Sequence, residues 1–270
     1  MKTLFISAMR ALIMMSNLIL AQNPNIPDRN SSLTAKTADE GNMNFKLTYL
    51  GHAALLLETG GYKILVDPFF TDNPAATTQP DKVNADFILV THGHHDHIGD
   101  TLAIAKRTGA LVISNGSICN WLRKQGVKVH NQQIGGGYNH PFGYLKPTFA
   151  IHGSTLPDNS DGGNACGFLL TTGEGKKIYI AGDTGLFGDM KLIGEEGIDL
   201  AVIPIGDNYT MGPADALRSV KMLSPKNVIP YHYNTWDLIR QDPDAWAKTV
   251  EKETNAKVHV LKPGESYELN

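Results

Sequence analysis

From about residue 44 onward, short apolar runs alternate with glycine, proline and polar residues. Phe45-Lys-Leu-Thr-Tyr-Leu50 alternates apolar and polar positions, the period-two pattern of a strand with one buried face. Residues 53–58 and 63–66 read as two further strands joined by a turn at Gly60-Gly61. Residues 87–91, Phe-Ile-Leu-Val-Thr, form an unbroken apolar run of the fully buried kind. The same reasoning predicts strands at 110–114, 127–130, 166–171, 177–181, 200–204 and 227–230, with another at 149–152 ending on His152. A last strand, 257–261, closes the chain. Helical patterns fall at 99–108, 117–125, 187–192, 212–223 and 242–255, with Pro213 in the first turn of its helix. Gly135-Gly136-Gly137 marks a turn or a close backbone approach. Strands and helices alternate in both halves, so a layered α/β fold is predicted. Strand after strand stops at a residue able to bind metal: Asp67, His92, His152, Asp183 and His232. Polar side chains on loops held by rigid strands are the common make-up of an active site.

The first 43 residues break this rhythm. Residues 1–21 carry Lys2 and then an apolar stretch interrupted by Arg10, which reads as a signal peptide ending near Ala21. Residues 22–43, with Asn-Pro and Ile-Pro-Asp, read as a flexible linker, and 44–270 as one domain. Export to the periplasm or the outside is therefore expected, with the cytoplasm as the location if the segment is no signal. No other segment is long and apolar enough to span a bilayer, so no stable membrane insertion is expected once the signal is removed.

The 270 residues have a formal net charge of −3, which offers no basic stripe for nucleic acid. Neither a Gly-x-Gly-x-x-Gly nor a Walker glycine loop appears, and no Gly-x-Ser-x-Gly elbow supports a serine hydrolase. Cys119 and Cys166 are the only cysteines and read as two free thiols, a single bridge being the alternative in an exported protein.

The chemistry concentrates in His92-Gly93-His94-His95-Asp96-His97, between an apolar strand and a helix. On an extended segment His92 and His94 project to one side and can reach one ion. Asp96 and His97, where the chain turns, can face a second ion nearby. Imidazole with carboxylate suits zinc, and also iron or manganese.

This His-x-His-x-Asp-His motif resembles the signature of the metallo-β-lactamase superfamily. More closely, the chain resembles the UPF0173 metal-dependent hydrolases, related to the ascorbate-phosphate lactonase-like group. That resemblance is carried by Leu50-Gly-His-Ala53, Ile64-Leu-Val-Asp-Pro-Phe69, Ala181-Gly-Asp-Thr184, Asp189-Met-Lys-Leu-Ile-Gly-Glu195, Pro204-Ile-Gly-Asp-Asn208, Thr210-Met-Gly-Pro213 and Ile229-Pro-Tyr-His-Tyr-Asn234. It implies a four-layer αββα sandwich with the site at one edge of two sheets. It further implies two divalent ions, one held by His92, His94 and His152, the other by Asp96, His97 and His232, with Asp183 bridging them. Gly153-Ser154-Thr155 departs from the His-Ser-Ser run associated with this branch, which bears on His152. His95 falls at a variable position of the motif and is given a role outside the ligand set. Asp67 is expected to accept a hydrogen bond from a ligand imidazole. His52, Asn208 and Asn234 are candidates for lining the pocket or steering substrate.

The reaction so implied is hydrolysis of a small molecule by a hydroxide held between the metals, with Asp96 and Asp183 as the catalytic carboxylates. A lactone or carboxylic ester is the first expectation and a phosphodiester the second. The non-enzymatic alternative is a metal-binding protein on the same fold. β-Lactams fit poorly, because the lactamases that cleave them use a cysteine where this chain offers Asp183. A homo-oligomer is compatible with all of these readings.

Overall fold

The computed structural model describes residues 45–269, so the predicted signal and linker lie outside the described residues. The strands are, in chain order, β1 (Phe45–Gly51), β2 (Ala54–Thr59), β3 (Tyr62–Val66), β4 (Phe87–Leu89), β5 (Leu111–Ser114), β6 (Val129–Asn131), β7 (Tyr138–His140), β8 (Gly143–Phe149), β9 (Cys166–Thr171), β10 (Lys177–Ile180), β11 (Leu200–Pro204), β12 (Asn227–Tyr231), β13 (Lys257–Val258) and β14 (Ser266–Leu269). The helices are α1 (His95–Ile98), α2 (Thr101–Thr108), α3 (Gly116–Lys124), α4 (Met190–Gly194), α5 (Pro213–Leu223) and α6 (Pro243–Glu253). Helix starts use local chemistry: the Asn115 side chain accepts from the Ile118 N–H, Asp242 accepts from Ala245, and Pro213 opens α5.

The strands form two seven-stranded mixed sheets, ordered β14-β1-β2-β3-β4-β5-β6 and β13-β12-β11-β10-β9-β8-β7. Period-two burial explains their packing. Leu47, Leu55, Leu57, Ile64, Phe87 and Leu89 of the first sheet meet Phe168, Leu170, Ile178, Val202 and Ile229 of the second in a central core. The opposite face of the first sheet, Leu65, Ile88 and Val112 among others, packs on Ile104 of α2 and on Ile118 and Leu122 of α3. The outer face of the second sheet, including Tyr179, Ala201, Ile203 and Val228, packs on α4, α5 and α6 through Met190, Val220 and Val250. The order of layers is therefore helix, sheet, sheet, helix, the expected αββα sandwich.

Several boundaries differ from the sequence reading. Strand β8 stops at Phe149, opposite Cys166, and does not run on to His152. Past that point the Ile151 N–H donates to Thr184 Oγ1 and the Ile151 carbonyl accepts from Gly185, so His152 is positioned by a neighbouring loop. The helix predicted at 187–192 is displaced to α4, because Phe187 is fixed edge-on to Phe149 and Gly188 follows it. The strand predicted at 257–261 pairs only over Lys257–Val258. β14, which pairs with β1 in the register Phe45↔Leu269, closes the chain instead. β7 lies where the sequence pattern predicts no strand, since Tyr138-Asn-His140 is a short polar edge strand. Gly137 does mark a close approach, since a Cβ there would overlap the Tyr144 side chain. Cys119 and Cys166 are buried free thiols, whose Sγ atoms lie against the Ser114 and Thr91 carbonyls respectively. No helix among the described residues is long and apolar enough to cross a membrane.

Strand direction places the site. β1 and β3 are both antiparallel to β2, and β4 is parallel to β3, so β1, β3 and β4 point the same way. β8 and β10 are both antiparallel to β9, and β11 and β12 run parallel to β10. The C-terminal ends of each set therefore share one edge of their sheet.

His140, on β7, is buried, stacked on Phe142 and hydrogen bonded through Nε2 to Gln132 Oε1 at 3.1 Å. Burial, reinforced by His130, lowers its pKa from 6.5 to about 4. Between these values the unfolded chain binds a proton that the folded protein refuses, so this stability is full above 6.5 and is lost as pH falls towards 4. Replacing His140 by Gln should remove up to about 3 kcal/mol of that pH dependence. Urea unfolding of both proteins at pH 7.5 and pH 4.5 tests it; equal pH dependence would contradict it.

Candidate metal centre

Six side chains follow strand ends at this shared edge: His52 after β1, Asp67 after β3, His92 after β4, His152 after β8, Asp183 after β10 and His232 after β12. His52, Asp67 and His232 adopt left-handed backbone angles, with φ of 57°, 45° and 56°. Such angles are uncommon outside glycine and collect at functional sites. Gly182 has φ 66°, and a Cβ there would collide with the Cys166 carbonyl, so only glycine lets the turn deliver Asp183. Two backbone bonds tie the sheets together at the site: His232 N–H to His52 O, and Cys166 N–H to Thr91 O, each 3.0 Å.

The side chains gather into three overlapping groups of converging donor atoms: His92, His94 and His152; His52, Asp96, His97 and His232; and His92, His97 and Asp183. His92 Nε2 lies 3.0 Å from His94 Nδ1, which is 3.2 Å from His152 Nε2. Asp183 Oδ2 lies 3.1 Å from His232 Nε2, 3.3 Å from His97 Nε2 and 3.5 Å from His152 Nε2. One carboxylate oxygen thus touches imidazoles from both sides of the cluster. His97 Nε2, Asp183 Oδ1 and both ring nitrogens of His232 are buried without a hydrogen-bond partner. Buried polar atoms are rarely left so. Convergent, unpartnered imidazole nitrogens and carboxylate oxygens fit divalent cations.

Hydrogen bonds behind the cluster decide which lone pairs face it. Asp67 accepts from the Thr91 N–H, from Thr91 Oγ1 and from His97 Nδ1, at 2.8, 2.7 and 2.8 Å. His97 therefore presents Nε2 to the centre. Thr91 has given its only hydroxyl proton to Asp67, so at 3.0 Å it accepts from His92 Nδ1 and leaves His92 Nε2 as a free lone pair. The carboxylate of Asp96 can only accept, so His52 Nε2 donates to Asp96 Oδ2 at 3.0 Å, and His52 Nδ1 accepts from Thr235 Oγ1 at 2.8 Å. Both His52 nitrogens are occupied, and His52 orients Asp96 while lying within reach of the second group.

The charges divide sharply. Burial, helped by His232, lowers the His52 pKa to about 4, so His52 is neutral. Burial also pushes His92 down, as does the charge on His97. For His97 burial opposes the charged form, but Asp183, Asp96 and Asp67 outweigh it and hold the pKa well above the usual histidine range. Burial likewise opposes ionisation of Asp183, and His232 and His97 overcome it, keeping the carboxylate ionised. Asp96 is also shifted down, its burial outweighed by His97 and the His52 hydrogen bond. In the metal-free protein the His97 imidazolium thus offsets the acidic groups, and a cation must displace its proton.

A cavity of about 440 Å³ opens onto the cluster, lined by Phe69, His94, His95, Asp96, His152, Asp183, Tyr209 and Trp236. His95 is exposed and stands edge-on to Phe69 at 5.4 Å. Asn208 and Asn234 do not line it: Asn208 is exposed on a loop, and Asn234 Oδ1 accepts from the Gln241 N–H. Sequence reasoning missed Thr91, Thr235, Phe69, Tyr209 and Trp236. The available signal was proximity, since each lies within four residues of a candidate it did name.

Asp67→Asn should weaken divalent-cation affinity by about 10–100-fold, the usual cost of losing a partner that orients a ligand. Competition against a chromophoric chelator measures it, and unchanged affinity would remove Asp67 from the assembly. Cation uptake near neutral pH should also release protons, and affinity should fall as pH is lowered.

A family model described as a beta-lactamase superfamily domain matches residues 46–232. A UPF0173 metal-dependent hydrolase of Desulforamulus reducens is 52% identical over 230 residues, covering 83% of this chain and 100% of the relative. One from Heliobacterium modesticaldum is 48% identical over 232 residues, covering 83% and 97%. Among solved structures, Igni18, a metallo hydrolase of the archaeon Ignicoccus hospitalis, aligns with a TM-score of 0.78 at 38% identity, covering 84% of this chain and 99% of that one. With the fold, the donor cluster and near-complete coverage of its relatives in agreement, the chain belongs to the UPF0173 metal-dependent hydrolases of the metallo-β-lactamase superfamily.

Proposed function

We propose that the protein hydrolyses a lactone or carboxylic ester at a centre holding two divalent cations, zinc being the cation its imidazole-rich donors favour. Manganese or iron would be accepted by the same residues. The observation that carries the two-cation part of this reading is the position of Asp183 Oδ2, within 3.5 Å of imidazole nitrogens on both sides of the cluster, and the ester or lactone part rests on the resemblance to the lactonase-like group. In this reading His92, His94 and His152 would hold one ion and Asp96, His97 and His232 the other, with Asp183 available to both. Two bound cations would supply Lewis acidity and ease the deprotonation of water.

The chain's own groups do the rest. Thr91 fixes the tautomer of His92, and Asp67 holds the His97 ring so that Nε2 faces the centre once its proton is displaced. Asp96 lines the cavity while His52 holds its Oδ2. It is therefore placed to orient the attacking water and to carry a proton to the leaving alkoxide. The strained turns at His52, Asp67 and His232 hold these groups on rigid strand ends, which preserves their mutual geometry. Lys2 and the apolar run within residues 1–21 support action outside the cytoplasm, on small molecules of the envelope or the surroundings.

A hydrolysis screen with the zinc-loaded full chain tests the reaction class. Lactones or carboxylic esters should be turned over, and Asp183→Asn should reduce kcat/KM by more than the roughly 10–100-fold expected for an outer partner. Turnover confined to phosphodiesters or β-lactams would overturn the reading.

A further inference from the structure

We propose that Phe69, Tyr209 and Trp236 form a specificity pocket for an uncharged aromatic group attached to the scissile carbonyl; the inference rests on the ester or lactone reading above. Phe69 is buried, while Trp236 is 38% and Tyr209 50% exposed. Large apolar rings with that much free surface lose water contact only when something covers them. Trp236 stands edge-on to His52 at 4.7 Å and lies 6.4 Å from Phe69, so one aromatic surface runs from the outer rim to the histidines.

This wall is held rigidly. The Trp236 carbonyl accepts from the Ile239 N–H, Asn234 N–H donates to the Ile239 carbonyl, and Ile239 is fully buried. The turn is an anchored loop presenting one ring to the cavity. Presenting an aromatic at low conformational cost is how rigid recognition surfaces gain affinity.

Charge sets the class of group. The cavity lining contains neither lysine nor arginine. Its acidic side chains, Asp96 and Asp183, belong to the cation-binding set, so the aromatic wall itself carries no charged group. A phosphate or carboxylate packed against the three rings, away from the cation-binding side chains, would be desolvated on their negative faces with no donor fork to receive it. A neutral ring would instead stack or pack edge-on there. The volume, about 440 Å³, lies in the lower part of the range for small-molecule sites, which suits one ring and a short acyl chain.

The test uses the zinc-loaded full chain with methyl phenylacetate, methyl acetate and a phenylacetate ester bearing a ring carboxylate. Wild type should favour the phenyl ester over each of the others by about tenfold in kcat/KM. Trp236→Ala should lose about tenfold more on the phenyl ester than on methyl acetate, chiefly through KM, and Trp236→Phe should restore most of it. Equal losses on both esters, or preference for the carboxylated ester, would overturn the proposal. Calorimetric titration with phenylacetamide, a neutral non-ester, reads the pocket without turnover. Binding that weakens about tenfold in Trp236→Ala, with no ester hydrolysed, would sink the ester reading and leave the aromatic pocket standing. Absence of saturable phenylacetamide binding would sink the pocket itself.

Discussion

A carboxylate buried among imidazoles is costly to desolvate, and Asp183, 2% exposed, occupies such a place at the junction of the two sheets. Its charge is tolerable only because His97 and His232 stand within 3.3 Å of Oδ2. Those histidines are in turn fixed from elsewhere: His97 by Asp67, and His232 by a turn whose N–H bonds to the His52 carbonyl. The constraint therefore spreads outward through both sheets. Loss of Asp183 or of His97 would leave the other a less compensated buried charge. This explains why so many strands end in register at one edge and why strained backbone angles collect there.

The same arrangement separates two tasks. Asp67, Thr91 and Thr235 face away from the cavity and settle protons and orientation. His94, Asp96, His152 and Asp183 face into it. The metal-free centre carries a proton on His97 where the bound state would carry cationic charge, so cation binding is coupled to release of that proton. The aromatic wall lies beyond this charged layer and contributes shape and apolar surface.

Much of the fold was legible because it is locally encoded. Apolar runs of strand length broke at His or Asp, and those breaks fall at the shared edge. A layered α/β fold followed from the alternation of strands and helices, and its four-layer order from the family resemblance. Elements that depend on distant pairing were not legible: β14 exists because Ser266–Leu269 covers the edge of β1, and nothing in its own four residues announces that. His152 was read as a strand end, because the Thr184 hydroxyl that draws Ile151 out of the sheet is 33 residues away. The site was legible where residue type signals chemistry, as in the contiguous histidine motif. Thr91 was hidden within an apolar run, where a β-branched hydroxyl reads as strand propensity. Trp236 and Tyr209 offered only their nearness to Asn234 and Asn208, because the residue type of an aromatic on a loop does not say whether the fold turns it towards a cavity.

The central claim is that Asp183 stands between two cation positions. Anomalous diffraction at the zinc absorption edge, from crystals of the full chain grown with zinc, examines it directly. The account predicts two peaks on opposite sides of Asp183, one among His92, His94 and His152 and the other among Asp96, His97 and His232. A single peak at full zinc saturation, or two peaks with Asp183 touching neither, would contradict it.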